Sequence, residues 1–251
     1  NVEPETEETF KESGVITGST VKVGNLVGND GKFYASLSDA TASAAKPIAI
    51  VCYVNRNSTI ETGANYNALA LSLNMDPDYC SWGEKGKDCG GDSVSQASSV
   101  TSYPLNGLAR TKSLAAGCNA GHTHTAAQKC ANYDNARFTA ATRQSKGFSD
   151  WFLPSISQWQ KIMVAMGVTD WNDTVGYLVV TYDTMKATIR KVYADAGVAD
   201  YFDPVWTGGW WSSTQYGKAK TNTVRFSWNT VSGKEKDESA LLLPVIAFRA
   251  E

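Results

Sequence analysis

Gly147-Phe148-Ser149-Asp150-Trp151-Phe152-Leu153-Pro154-Ser155 stands near the middle of the chain and constrains it more than any other stretch. Pro154 has no N–H and a fixed φ, so it separates the strand-like, aromatic Trp151–Leu153 from the segment after it. That segment is a helix by its pattern. Ser155-Ile-Ser-Gln158 fits a capping box, Ile156, Trp159, Met163 and Met166 recur at helical spacing, and Gly167 ends the run. Trp151 and Phe152 anchor that corner in a core because aromatic side chains bury large areas. The motif contains no catalytic group.

The rest of the chain is ordinary enough to exclude several classes. Its 251 residues suit one large domain or two small ones, with 42% apolar and 19% charged residues. A net charge of −2 lacks the clustered Lys and Arg that nucleic acid requires. No apolar run reaches the roughly 18 residues of a membrane-spanning helix. The chain opens at Asn1 without a signal segment, which reads as a trimmed export product. Residues 1–14 are acidic and poor in core formers, the composition of a flexible solvated tail. Residues 15–251 form a single domain.

Five cysteines occur. The local spacings Cys80/Cys89 and Cys118/Cys130 permit two loop-closing disulfides, but spacing leaves the connectivity open. Cys52 remains over, inside the apolar run Pro47–Val54, where a thiol serves as a small buried hydrophobe.

A hairpin is expected from Thr20–Val23 and Lys32–Ala35 around Gly28-Asn-Asp-Gly31. Strands are expected at 47–54 and 67–73. Residues 74–121 show little periodicity, and so long a stretch is functional or covalently tied. Helices are expected from Thr125, where Thr-Ala-Ala-Gln128 fits a capping box, to about Tyr133, from Ser155, and over 183–196 with Met185, Ile189, Val192 and Tyr193 inward and Gly197 as stop. Strands return at Pro204–Trp211, Thr223–Trp228 and Leu241–Arg249. In the second of these, Val224, Phe226 and Trp228 pack while Thr223, Arg225 and Ser227 face solvent.

The Asp150–Ser155 corner, Trp211-Ser-Ser-Thr214, Val224-Arg-Phe226 and the closing Ala247-Phe-Arg249 resemble a C-type-lectin-like fold. The nearest variant is that of fimbrillin-like and adhesin-like surface proteins of Gram-negative gut bacteria. Lys46–Ile50 and Ala127–Tyr133 extend the likeness to roughly residues 20–251. Formylglycine-generating enzymes and the variable proteins of diversity-generating retroelements are more distant likenesses. The resemblance implies an α+β domain, with a mixed or antiparallel sheet, about three helices and long loops.

Chemistry narrows the function. Cys118, His122, His124 and Cys130 make a chemically adequate zinc set, but at a spacing foreign to structural zinc sites. Trp171-Asn172-Asp173 is reminiscent of the calcium triplet of animal C-type lectins, yet it comes after a helix instead of lying on a late strand. The sugar-reading Glu-Pro-Asn or Gln-Pro-Asp is missing, and Asp76, Asp78, Glu84, Asp88 and Asp92 show no calcium-loop register. Formylglycine-generating chemistry needs late cysteines, whereas Cys130 is the last here. No metal, cofactor or catalytic residue is therefore assigned, and the chain is read as a non-enzyme. The remaining candidate is aromatic. Trp206, Trp210, Trp211 and Tyr216, with Asn222 and Arg225, could form a ligand platform, because adjacent Trp210 and Trp211 point to opposite sides of a strand.

The function expected is that of an exported cell-surface adhesin or fimbria-associated binding protein. Its partners would be a host or bacterial surface glycan or protein, or other fimbrial subunits, with no nucleic acid. Its only contact with the outer membrane would be a lipid anchor upstream of Asn1. The alternatives are a structural fimbrial subunit acting in assembly and a calcium-dependent lectin.

Overall fold

The computed structural model describes residues 15–73, 79–90, 103–133, 138–168, 171–172, 177–178, 182–201, 209–225 and 230–251. The tail, Asp76, Asp78, Asp92, Trp206, Phe226 and Trp228 lie outside the described residues. The side chains of 171–172, 177–178, 182–186, 222, 225 and 230–232 do too.

The architecture is α+β with antiparallel sheets. Strands β1 (Val15–Ile16), β2 (Leu26–Gly28), β3 (Phe33–Tyr34), β4 (Pro47–Val54), β5 (Ala68–Ser72) and β13 (Val245–Phe248) form a six-stranded sheet ordered β1-β3-β2-β4-β5-β13. It draws on both ends of the chain. Strands β7 (Trp171–Asn172), β8 (Tyr177–Leu178), β9 (Trp210–Tyr216), β10 (Lys220–Arg225) and β11 (Thr230–Glu235) form a second sheet, ordered β7-β8-β11-β10-β9. β6 (Cys80–Ser81) pairs with β12 (Ser239–Ala240).

Six α-helices are present among the described residues: α1 (Leu37–Ala42), α2 (Gly107–Ala115), α3 (Thr125–Ala131), α4 (Ala140–Ser145), α5 (Ile156–Ala165) and α6 (Tyr182–Asp195). The turn Gly28–Gly31 forms as its residues require, with Gly31 at φ +76°. Its first strand, however, is Leu26–Gly28, not 20–23. The glycine-rich stretch hides α2, whose five buried positions include Gly107, Arg110 and Thr111, too mixed a face for apolar periodicity to reveal. At Thr125 no capping box forms, since His124 is the N-cap and makes no side-chain cap bond. Thr223 is buried alongside Val224, so both faces of β10 are covered there and the expected solvent face is absent at that position.

β4 is buried on both sides, as its unbroken apolar run implies. Ile50 and Cys52 face a core shared with Leu69, Leu71, Val245, Trp159, Ile162, Met163, Ile189 and Trp210. Ala49 and Val51 face an aromatic layer with Phe138, Phe148, Trp151 and Phe248. A third cluster joins Cys80, Trp82, Leu114, Ala127, Cys130, Leu153, Trp211 and Leu242. Cys52 is free and buried as expected, and burial raises its thiol pKa.

The Pro154 corner is where these layers meet. Phe152 bridges Val245 by two backbone bonds of 2.9 Å each, so the corner also covers the free edge of β13. The capping box is complete: Ser155 Oγ accepts from Gln158 N, and Gln158 Oε1 accepts from Ser155 N at 2.9 Å. Gln158 Nε2 then donates to Ile60 O at 2.7 Å and to Glu61 Oε2 at 2.8 Å. Glu61 accepts the amides of Leu108 and Ala109 in the first turn of α2, where a carboxylate complements the helix dipole. Burial raises the Glu61 pKa, and these hydrogen bonds oppose the rise.

Gly107 lies against this junction. A Cβ there would meet Gln158 Oε1, Leu153 O at 2.7 Å and Ser155 N at 2.9 Å. Gly107→Ala should therefore cost about 2–3 kcal/mol, because the backbone atoms cannot retreat. Ser155→Ala should cost about 1 kcal/mol for a lost cap. Urea midpoints of the two variants check the ranking, and equal or reversed losses would contradict this account.

Candidate functional site

Strand β9 carries two large indoles, then an unusual run of buried polar residues, Ser212, Ser213, Thr214 and Gln215. Alternation does send Trp210 and Trp211 to opposite faces, but a core covers each face. Trp210 is 1% exposed and stacks at 5.1 Å on Trp159, while Trp211 is fully buried and donates from Nε1 to Cys80 O at 2.7 Å. The expectation that one of these indoles is exposed is thus corrected. Tyr216, half-buried at the end of β9, is the member of the expected platform that reaches solvent. Asn222 and Arg225 lie on β10, with their side chains outside the described residues, and Trp206 lies outside them altogether.

The polar run has two uses. One is to hold α5: Ser213 N donates to Pro154 O at 2.9 Å, and Thr214 Oγ1 accepts from Ile156 N at 2.9 Å. The other is to fasten the 82–90 loop. Trp82 Nε1 donates to Ser212 O at 2.8 Å, Gln215 Oε1 accepts from Cys89 N at 3.4 Å, and Gln215 Nε2 donates to Asp88 Oδ1. Lys236 completes the tie from the strand hairpin opposite. Its Nζ donates to Lys87 O at 2.7 Å and Gln215 Oε1 at 3.0 Å, and lies 4.9 Å from the Trp82 ring centre. A fully buried lysine in Ser-Gly-Lys-Glu-Lys236-Asp carries no sequence signal, because the segment reads as an exposed loop.

The second half of the site is Gly117–His124. Gly117, Cys118 and Asn119 all take positive φ (+75°, +55° and +59°), an uncommon run for non-glycine residues that turns Cys118 back toward Cys89. Cys89 and Cys118 form the disulfide. Neither expected pairing is made, and Cys80 and Cys130 are buried thiols outside any disulfide. Local spacing misleads because β6 and α3 carry Cys80 and Cys130 into the apolar cluster, while the intervening loops bring Cys89 to Cys118.

Both histidines come to the same place. His124 is fully buried, packs edge-on to Trp82 at 5.0 Å, and sets Nε2 at 2.8 Å from Cys89 Sγ and 3.7 Å from Cys118 Sγ. Burial, reinforced by the Lys236 charge, lowers its pKa to about 4, so the imidazole is neutral at pH 7. Of the zinc set read from the sequence, Cys118 and His124 converge, whereas Cys130 is not in their group and Cys89 replaces it. Glu84 and Asp88 are already engaged, Glu84 with Thr123 N at 2.9 Å and Asp88 with Gln215 and Gly90 N.

Elsewhere an open cleft of about 710 Å³ lies between α1 and α6, lined by Ser36, Leu37, Thr41, Ala194 and Asp195. The Asp195 carboxylate there is held by Lys191 at 2.7 Å.

The buried strand sets two expected outcomes. Trp211→Ala should lose about 3–5 kcal/mol of stability, while Tyr216→Ala should stay within about 0.5 kcal/mol. Chemical denaturation of both variants checks this, and a stable Trp211→Ala protein would refute the placement of the indole. Burial also lowers the Lys236 pKa to about 8 from 10.5. Folding therefore disfavours the ammonium form, and the stability linked to this residue is complete above the unfolded pKa and declines as pH falls toward 8. Raising the pH from 8 to 10 should stabilise the native protein by up to about 2 kcal/mol relative to Lys236→Met. Paired urea titrations at the two pH values measure it, and parallel behaviour of the two proteins would contradict the burial of the amine.

No family model and no curated relative matches the chain. Among solved structures it is similar to the crystal structure of a fimbrial protein from Bacteroides ovatus ATCC 8483, with a TM-score of 0.50 and 14% identity. The match covers 91% of this chain and 49% of the other, so this chain spans about half the length of that protein. At such identity the likeness is one of fold.

Proposed function

We propose that this chain is a non-enzymatic, fimbria-associated protein of the cell surface that works by binding neighbouring subunits. The observation that carries the reading is the fold likeness to a fimbrial protein over 91% of the chain. A second consideration supports it: in the polar cluster around the 82–90 loop, Lys236, Gln215, Asp88 and Glu84 are engaged in holding loops together. The finer fold assignment, a C-type-lectin-like domain, belongs to this proposal. It is supported by the Pro154 corner running into α5 and by the pairing of β13 with β5. The same reading puts the protein at the outer membrane through a lipid anchor. Among the described residues no helix is long and apolar enough to cross a membrane.

Burial of Trp210 and Trp211 removes two of the four aromatic side chains that an adhesin reading would use, which favours assembly over glycan recognition. Adhesion remains a second reading because Tyr216 reaches solvent at the β9–β10 turn beside exposed Lys218 and Lys220. Loops carried on rigid strands are common binding sites.

Antibodies raised against the purified chain test the proposal on cells that produce it. Labelling of intact cells and of sheared surface filaments is the expected result, and labelling confined to permeabilised cells would sink it. A glycan array of the purified chain, run with calcium and with chelator, separates the second reading. Reproducible hits abolished by Tyr216→Ala would favour adhesion, and a blank array in both arms would remove it.

A further inference from the structure

We propose that Cys89, Cys118 and His124 are a redox-gated soft-metal site: reduction of the Cys89–Cys118 disulfide releases two thiols that, with His124 Nε2, take up one zinc-like divalent cation. This inference is independent of the fimbrial reading.

The donor atoms of these three residues lie within 4.8 Å of one another. Two thiolates and an imidazole are a zinc-type set, with a fourth position left for water. The net charge of Zn²⁺ with two thiolates and a neutral imidazole is zero, so filling the site adds no uncompensated charge beside Lys236.

The state of His124 points the same way. It is fully buried, its Nδ1 has no hydrogen-bond partner among the described residues, and its Nε2 faces only sulfur. A buried polar nitrogen normally finds a partner, because desolvation without one is costly. A disulfide sulfur is a poor acceptor and offers no proton, so whichever tautomer is present, one nitrogen lacks a conventional partner. A metal ion between Nε2 and the sulfurs gives Nε2 a ligand bond in place of its sulfur contacts and fixes the ring proton on Nδ1, whose own want of a partner it does not relieve.

The movement required is a side-chain one. With Zn–S near 2.3 Å and Zn–N near 2.0–2.1 Å, tetrahedral coordination places S and N about 3.6 Å apart and the two sulfurs about 3.8 Å apart. Cys118 Sγ already stands 3.7 Å from Nε2 and Cys89 Sγ 2.8 Å. Once the S–S bond, about 2 Å long, is broken, however, the two sulfurs must part by about 1.8 Å, a displacement that side-chain rotation of the cysteines can supply. Both cysteines are partly exposed, which gives reductant and ion a path. The ligands also stay in place without the disulfide. The loop carrying Cys89 is fastened by Gln215, by Lys236 and by Gly83 N to Lys236 O at 3.1 Å. The loop carrying His124 is held by Glu84 N to Thr123 O at 3.1 Å and by Thr123 N to Glu84 Oε1.

The chemistry balances with a dithiol as reductant. It delivers two electrons and two protons to the Cys89–Cys118 bond and leaves as its own cyclic disulfide. The cation then displaces the two thiol protons to solvent, so binding strengthens as pH rises.

The test uses the full chain. It is reduced with dithiothreitol, freed of reductant by gel filtration under argon, and titrated with Co²⁺ against the oxidised protein. One equivalent of Co²⁺ with thiolate-to-cobalt absorption, displaced by Zn²⁺, is expected in the reduced protein, and none in the oxidised one. His124→Ala should weaken uptake by more than about tenfold, since even outer-shell changes cost that much. The Cys80→Ala/Cys130→Ala variant should bind as the unsubstituted chain does. The proposal is overturned by a reduced protein that takes no cobalt or loses its near-UV circular dichroism. Uptake indifferent to His124→Ala, or uptake that disappears with Cys80 and Cys130, overturns it as well.

Discussion

The hydrogen-bonded start of α5 is the constraint on which the rest of the structure depends. Within six residues, Leu153–Gln158, the chain leaves an edge pairing with β13, turns at Pro154 and begins a helix between two sheets. Such a turn buries backbone groups that regular structure cannot satisfy, and each unpaired group would cost on the order of 1–3 kcal/mol. Beyond the reciprocal Ser155–Gln158 cap, partners come from distant segments. Thr214 receives the amide of Ile156, Ser213 binds the carbonyl of Pro154, and Thr111 Oγ1 receives the amide of Leu153 at 3.0 Å. Gln158 passes the network to Glu61, and Glu61 passes it to the start of α2. One short motif thereby sets the relative positions of both major sheets and two helices.

The same strand that completes this junction also positions the candidate site. On β9, Ser213 and Thr214 serve α5, whereas Ser212 and Gln215 serve the 82–90 loop. A strand of small hydroxyl residues behind two tryptophans would be a weak strand on propensity and packing alone. It is stable here because Ser212 Oγ, Thr214 Oγ1 and the Gln215 amide are hydrogen-bonded and the indoles each fill a separate apolar cluster. The loop can then carry Cys89 toward Cys118 and His124 without regular structure of its own. The disulfide and the polar ties act together to hold residues 82–90 against Gly117–His124.

Much of the fold was legible because its signals are local. The 47–54 strand announced itself as an unbroken apolar run, the turn at Gly28–Gly31 by its glycines, and α5 by its cap and spacing. Gly197 at φ +78° marks the end of α6 as expected. Helix α2 escaped detection because its buried face includes Arg110, Thr111 and Gly107, residues held by tertiary bonds and close backbone approach instead of apolar contact. The hydrophobic pattern of β10 was misjudged for a related reason: a buried threonine satisfied inside a fold looks, in sequence, like a solvent-facing one.

By itself, then, the amino-acid sequence determined the class of fold, the central corner and the buried thiol of Cys52, since these rest on backbone dihedrals, capping and short-range periodicity. Only the tertiary structure decided which cysteines join, that Lys236 is interior, and that Trp210 and Trp211 are both core. Those outcomes depend on which surfaces meet across long stretches of chain, from the 29 residues of the Cys89–Cys118 link to the 149 between Lys87 and Lys236. Local propensity holds no information about such meetings. They are settled by the burial of apolar area and the pairing of polar groups once the layers close.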